Sequence, residues 1–347
     1  MYDEANPRAR AGRGKGPVVV CLGGGTGLST LLRGLKKISE DITAIVTVSD
    51  DGGGSGVLRD ELGMPPPGDI RNCMQALSNA EPTIEMLMAY RFDSGSLSGQ
   101  SFGNLFLAAI NGISESFDKA VIRMGEVLSI TGRVLPVTND DIHLWAQFED
   151  GSMVVGESKI AAAKEERRSR IERVEIAPSY AMALPECIEA INAADMIILG
   201  PGSLYTSIIP NLLVRGIADA ISRSDAVKLY VCNVMTQPGE TDGYLASEHI
   251  KEIFDHAGSK QFDYCLVNSE PASPGVLERY RMRGSEPVGT DEEAILGLGV
   301  EIHKAPIAAR HNNLARHDQD KLAREILRIF IEKAPTKTYG NVAPVPT

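Results

Sequence analysis

The stretch from Pro17 to Leu35, PVVVCLGGGTGLSTLLRGL, decides the fold. An unbroken apolar run rich in valine suits a strand buried on both faces. It runs straight into glycines, and an apolar helix follows. Strand, glycine turn and helix in that order open a doubly wound α/β unit.

Working outward, similar short apolar runs recur at Thr43–Ser49, Met196–Leu199, Lys228–Asn233, Tyr264–Asn268 and Glu301–Ala305, separated by helical stretches. The pattern predicts a Rossmann-like, mostly parallel sheet within an α/β fold. One region breaks the rhythm. Val134–Val137, His143–Phe148 and Met153–Ile160 are strand-like, with Asp150-Gly151 as a type I′ turn signal and a further strand at Arg173–Ile176. This predicts an inserted β-hairpin region at about 134–176 within one domain spanning 17–334. The mixed charge run Lys164–Arg173 reads as a solvated surface segment. Residues 1–16, with Arg8, Arg10, Arg13 and Lys15 among small residues, and the proline-punctuated residues 335–347 are expected to be disordered.

The whole chain has 347 residues, enough for one large α/β unit or two packed halves, and its 43% apolar and 23% charged content is that of a globular protein. A net charge of −11 argues against nucleic acid as a partner. No run approaches the roughly 20 apolar residues that span a bilayer, and the first sixteen residues carry no secretory signal, so a cytoplasmic protein without membrane association is expected. The five scattered cysteines lack the close pairing of zinc or redox motifs and read as reduced thiols.

At Gly24, Gly25, Thr26 and Gly27 the glycines permit positive φ and close backbone approach, while the helix N-terminus beyond them favours an anion. The spacing is not a strict G-x-G-x-x-G, because Leu28 takes the last place, and no lysine completes a P-loop. A tight turn with no ligand is the alternative. The second strand ends in Asp50-Asp51-Gly52-Gly53-Gly54-Ser55-Gly56. Its two carboxylates suit a divalent cation, a ribose or sugar hydroxyl, or a turn cap. Arg59 could reach a phosphate bidentately. In PPPGDIRNCMQAL, Asp69 reads as an N-cap, and a bound anion would ease the conflict of Arg71 with the helix dipole. Capping and binding explain Asn104 equally well.

The second half repeats the device in DMIILGPGSLYTSIIPNLLV, where Gly202, Ser203, Leu204, Tyr205, Thr206 and Ser207 stand at an expected helix start. Two such turns are consistent with a crevice where the strand order reverses. Asn233, Thr236, Gln237 and Thr241 in NVMTQPGET line the same crevice or make ordinary loop hydrogen bonds. Arg310, His311, Arg316, His317 and Asp318 either cap a helix or meet an acidic ligand. No arrangement of histidines supports hydrolase chemistry, and no residue is assigned a catalytic role.

The segments GGGTGLSTLLRGLK, TVSDDGGGSGVLR, PPGDIRN, GNL, GESKI, GPGSLYTSIIPNLLV and NVMTQPGETDGY resemble, in order across residues 17–244, the YvcK-like gluconeogenesis factor family. The family is similar in fold to 2-phospho-L-lactate transferase. The resemblance implies a Rossmann-like, often homodimeric cytoplasmic protein of bacteria that binds UDP-sugars, UDP-N-acetylglucosamine in particular. It also implies a regulatory role in cell-wall synthesis and cell shape on gluconeogenic carbon sources, with no required cofactor and magnesium as an option. The matching positions are Gly24, Gly25, Thr26, Gly27, Asp50, Asp51, Asn104 and Gly202 to Tyr205, with Tyr264 in FDYCLVN and Arg316 in ARHD. One departure is visible: the family usually has DDGGSSG, and Gly54 stands here in the first serine place. On this resemblance the diphosphate lies across Gly24–Gly27 and Gly202–Tyr205, and Asp50 or Asp51 meets ribose or a cation. The rival from the enzyme class is a transferase with Mg²⁺ on Asp50 and Asp51. A nicotinamide-dependent oxidoreductase rests on fold analogy alone.

Overall fold

The computed structural model describes residues 15–167, 169–309 and 316–334. Residues 1–14 of the arm expected to be disordered at 1–16, the tail 335–347 and the basic residues Arg310 and His311 lie outside the described residues. Lys15 differs from that expectation, its carbonyl accepting from the Glu40 amide at 2.9 Å. Ten strands are present among the described residues: β1 (Val19–Gly23), β2 (Ile42–Val46), β3 (Arg133–Pro136), β4 (His143–Phe148), β5 (Met153–Val155), β6 (Ile171–Ala177), β7 (Met196–Leu199), β8 (Val227–Val231), β9 (Tyr264–Asn268) and β10 (Glu301–Ala305).

Seven of them form one sheet in the order β10-β9-β8-β7-β1-β2-β3. Every neighbouring pair is parallel. β1, β2 and β7 are buried along their whole length, which is why they appear in the sequence as continuous apolar runs. Cys21 stands in register between Ala44 of β2 and Ile198 of β7. The chain therefore builds β1, β2 and β3 outward in one direction, crosses back, and builds β7 to β10 in the other. Strand order reverses between β1 and β7, the place where open α/β sheets part and bind ligands beyond their carboxyl ends.

Helices α1 (Gly25–Leu35), α2 (Gly53–Leu62) and α3 (Gly68–Leu77) follow the first two strands. Leu28, Leu31, Leu32 and Leu35 of α1 are each at most 2% exposed. Each such side chain contributes roughly 1.5–3 kcal/mol of burial. Gly34 lets α1 touch the last helix, Gln319–Lys333, since a Cβ there would stand 2.1 Å from the Gln319 carbonyl oxygen.

The inserted region differs from expectation in three ways. First, the run at Val134–Val137 contributes β3 to the edge of the main sheet, pairing with β2, and so lies outside the hairpin. Second, the strand expected at Met153–Ile160 stops at Val155. Gly156 turns the chain at φ +103°, and Glu157 begins a helix to Arg167. Third, only Gly151 of the Asp150-Gly151 pair has positive φ, and its N–H donates to the Phe148 carbonyl. A type I′ turn needs positive φ at both residues, so the connection is a three-residue loop closed by a left-handed glycine. β4 then pairs antiparallel with β5 on one side and β6 on the other. No described helix is long and apolar enough to cross a membrane.

Candidate functional site

At the end of β1 the backbone of Gly24 is extended and Gly25 turns into the left-handed region at φ +63°, where a side chain would be strained. The first amides of α1 then have no intrahelical partners, and that of Gly25 donates to the Asp69 carboxylate. Two further constraints fix glycine here. A Cβ on Gly24 would stand 2.4 Å from Asp69 Oδ2, and one on Gly27 would stand 2.4 Å from the Pro201 carbonyl oxygen. The two glycine turns, after β1 and after β7, thus touch backbone to backbone.

Side-chain amides lock them together. Asn211 Nδ2 donates to the Gly23 carbonyl (3.1 Å) and the Ser207 carbonyl (2.7 Å), and Asn233 Nδ2 donates to the Gly202 carbonyl (2.7 Å). The second turn does not lead straight into an α-helix as expected. A π turn at Leu204–Ile208 precedes the short helix Ile209–Leu213. Ser203 Oγ accepts from the Thr206 amide (3.3 Å) and hydroxyl (2.7 Å), and donates to the Glu240 carboxylate, which Gln237 Nε2 also approaches at 2.5 Å.

Between the turns lies a cleft of about 540 Å³. It is lined by the first turn, by Gly202, Ser203, Thr206 and Ser207 of the second, by Asn233–Pro238 after β8, and by Tyr280, Arg283, Ser285, Arg316 and His317. Asp69, beside the first turn, and Glu157 complete the lining. Burial and the nearby Asp50 push the Asp69 carboxyl up to about 6, against the pull of the Gly25 amide and Arg71. Burial, then Asp50, Asp69 and Glu240, hold Glu157 well above the carboxylate range, although Ser49 donates to it at 3.3 Å. Burial pushes the buried His317 imidazole down to about 4. Its Nε2 sits 3.2 Å from the Cys232 carbonyl, an acceptor only, so Nε2 carries the proton of a neutral ring.

The carboxylate pair expected at Asp50 and Asp51 is divided between two tasks. Asp50 Oδ1 accepts from the Gly52 amide (2.9 Å), and burial raises its pKa. Asp51 Oδ1 accepts from the Ser158 amide (2.8 Å), capping the helix that delivers Glu157 to the cleft. Gly156 must be glycine there, because a Cβ would stand 2.2 Å from Asp51 Oδ2. Among the described residues, no group of three or more His, Cys, Asp or Glu is arranged to hold a metal.

Several other expected residues are engaged within the protein. Arg59 is buried and pairs with Asp141 (2.5 Å) and the Ile142 carbonyl (2.6 Å), fastening α2 to the loop before β4. Arg71 Nε donates to Asn104 Oδ1 (3.2 Å), and Ser101 rather than Asn104 caps its helix. Asp69 is no cap either, since Pro67 holds that position in α3 and the carboxylate turns toward Gly24. Leu204 and Tyr205 are fully buried, with the Tyr205 hydroxyl 2.8 Å from that of Tyr244. The Thr236 hydroxyl accepts from the Glu286 amide at 2.9 Å. Tyr264 is the first residue of β9, at the edge of the sheet opposite the cleft, where it meets the ring of His303. The tyrosine that faces the cleft is Tyr280. At the Gly54 departure, a Cβ would stand 2.7 Å from Gln100 Oε1, a buried oxygen with no hydrogen-bond partner among the described residues.

The family model described as 2-phospho-L-lactate transferase CofD matches residues 19–308. A putative gluconeogenesis factor of Thermoanaerobacterium thermosulfurigenes is 55% identical over 317 residues, covering 91% of this chain and 98% of that protein. The gluconeogenesis factor of Bacillus subtilis is 48% identical over 320 residues, covering 92% and 100%. A crystal structure of a Bacillus halodurans protein superposes with a TM-score of 0.87 at 49% identity, covering 90% of this chain and all of that one.

Proposed function

The chain belongs to the gluconeogenesis factor family, within the 2-phospho-L-lactate transferase CofD-like group, and we propose that it is a regulatory protein that binds a UDP-sugar in the cytoplasm. The observation that carries this reading is the contact of two glycine turns at the point where strand order reverses. A diphosphate bridging them meets the amides at the start of α1. Arg283 and Arg316 supply the cations that an acidic chain otherwise withholds from an anion. Asp69, beside the first turn, and Glu157 are hydrogen-bond partners for sugar or ribose hydroxyls. UDP-N-acetylglucosamine is the proposed ligand, and support of cell-wall synthesis and cell shape on gluconeogenic carbon sources the proposed role, in line with the relatives' name.

A second reading has its own support. Asp50, Asp69, Glu157 and Glu240 influence one another electrostatically around the phosphate turns, and carboxylates beside phosphates suit a magnesium-dependent transferase. In that case Asp50 and Asp69 would hold the ion, and Lewis-acid stabilisation of a phosphoryl oxygen is what it would supply.

Isothermal titration of UDP-N-acetylglucosamine with and without Mg²⁺, followed by chromatography of the recovered ligand, separates the two. Saturable binding with intact ligand supports the regulator. Altered ligand, or binding only with Mg²⁺, supports the transferase, and no binding in either condition refutes both.

A further inference from the structure

One stretch beside the cleft is attached to the protein differently from its surroundings. From Asn268 to Gly284 no residue is buried, although Val267 before it and Ser285 after it are. No apolar side chain between 269 and 284 packs against the main core. The helix in this stretch, Pro274–Arg281, buries none of its residues. Its support is a small separate cluster, in which Ala272, Val276 and Tyr280 touch Val234, Met235 and Ala308, the last three each still 9% exposed. Few buried apolar contacts put a segment at the low end of local stability.

Both ends are tied. Asn268 Nδ2 donates to the Glu270 carbonyl (2.6 Å), and the Ser269 amide donates to the Ala305 carbonyl (2.9 Å). At the other end the Ser285 hydroxyl donates to the Thr236 carbonyl (2.5 Å) and the Glu286 amide to the Thr236 hydroxyl (2.9 Å). Between these ends the amides of Leu277, Met282 and Gly284 donate to the carbonyls of Ser273, Glu278 and Arg281, all within the stretch. It can swing without losing those bonds. Gly284, at φ +73° and with Pro238 alone within 4 Å of where a Cβ would stand, is placed to absorb the change.

We propose that residues 271–284 form a lid over the main cleft, which lifts to admit a phosphate-bearing ligand and closes on its charge through Arg283. The proposal rests on the anion-binding reading of the cleft above and adds the movement that controls entry.

The spacing of the helix couples support to site. Val276 and Tyr280 stand at i and i+4 and Arg283 follows at i+7, so the three share one side. Tyr280 and Arg283 line the cleft, and Val276 does not. Lifting the helix off the small cluster therefore withdraws Tyr280 and Arg283 from the cleft in the same movement. Charge supplies the bias toward closure. The chain has a net charge of −11, yet this stretch carries Arg279, Arg281 and Arg283 against Glu278. An anion on the glycine turns favours the state in which Arg283 faces it.

Limited trypsinolysis of the full chain reads the lid at its own arginines. In the free protein, cuts after Arg279, Arg281 and Arg283 are expected at least tenfold faster than cuts at Arg133 and Lys228 of the central sheet. Saturating UDP-N-acetylglucosamine should slow them at least tenfold. Val276→Asp loosens the lid without touching the cleft, and should raise the ligand's dissociation rate at least fivefold while association stays within twofold. Cuts no faster than those at Arg133 and Lys228, cuts that bound ligand does not slow, or an unchanged dissociation rate in a folded Val276→Asp each overturn the lid. Where titration shows binding but the cuts are unslowed, the lid fails and the ligand reading stands. Where titration shows no binding of UDP-N-acetylglucosamine, the ligand reading fails, and pyrophosphate serves as the anion: protection of the three cuts by it upholds the lid, and no protection overturns it.

Discussion

The Asp69 carboxylate lies so close to Gly24 that a Cβ on that glycine would stand 2.4 Å from its Oδ2. An acid therefore sits within the turn offered to a phosphate. With its pKa raised to about 6 from an ordinary 3.8, the native state binds this proton more tightly than the unfolded chain does. Stability falls as pH rises from about 4 to 6, and the full penalty is present above 6. Asp69→Asn is expected to raise the melting temperature at pH 7.5, by up to about 3 kcal/mol in stability, and to lose that advantage near pH 4. Thermal unfolding across pH 4–8 checks it; a pH-independent difference would contradict the assignment.

An anionic ligand placed beside Asp69 pushes the same proton affinity further up. Binding of UDP-N-acetylglucosamine at pH 7 is then accompanied by proton uptake. Titration in two buffers of different ionisation enthalpy reads this directly. Equal observed heats in both would rule it out, and in Asp69→Asn the difference should shrink.

Gly27→Ala places a methyl group 2.4 Å from the Pro201 carbonyl, and neither backbone can swing aside as a side-chain tip would. The turns must part. A loss of about 1–3 kcal/mol in stability is expected, with UDP-sugar affinity reduced tenfold or more. Calorimetric melting and titration on the same preparation give both numbers, and undiminished affinity would mean that the turns do not jointly hold the ligand.

Tyr264→Ala should leave UDP-sugar binding within twofold of wild type, because Tyr264 opens β9 at the far edge of the sheet, about 13 Å along the strand from Asn268. Tyr280→Ala, which alters the cleft wall, should weaken it at least tenfold. The opposite ranking would place the ligand elsewhere.

Asp51→Ala removes the acceptor for the Ser158 amide, at a cost of about 1 kcal/mol. The helix carrying Glu157 should then show faster amide exchange over its first turn while β1 and β2 remain protected. Uniform loss of protection would show that Asp51 supports the whole fold instead.

The centre of the main sheet was legible because β1, β2 and β7 are buried along their whole length, and such strands are written as unbroken apolar runs. Glycine turns were legible for a related reason: Gly25 needs its positive φ, and Gly27 its closeness to Pro201, whatever else changes. Long-range placement was not. The run at Val134–Val137 looks the same whether it pairs with β2 or with a hairpin, and Asp69 has the local setting of an N-cap until α3 packs it against Gly24. Glu157 stood in GESKI, a segment quoted only for its resemblance, because its place in the cleft depends on a turn at Gly156 and on Asp51 over a hundred residues earlier. Tyr264 is different. Its place at the start of a parallel strand already put it at the edge away from any crevice, so the signal was present in the sequence and outweighed by a motif.

The crossover between β3 and β7 holds the antiparallel sheet, and the exposed tip of that sheet is Asp150-Gly151. A single cut at this tip would leave the first glycine turn on one fragment and the second on the other, with β4 on the first fragment still able to recruit β5 and β6 of the second. Neither fragment alone would carry both turns of the proposed diphosphate site. On that reading the molecule is a split receptor, in which reassembly of two polypeptides and capture of the ligand would be one event.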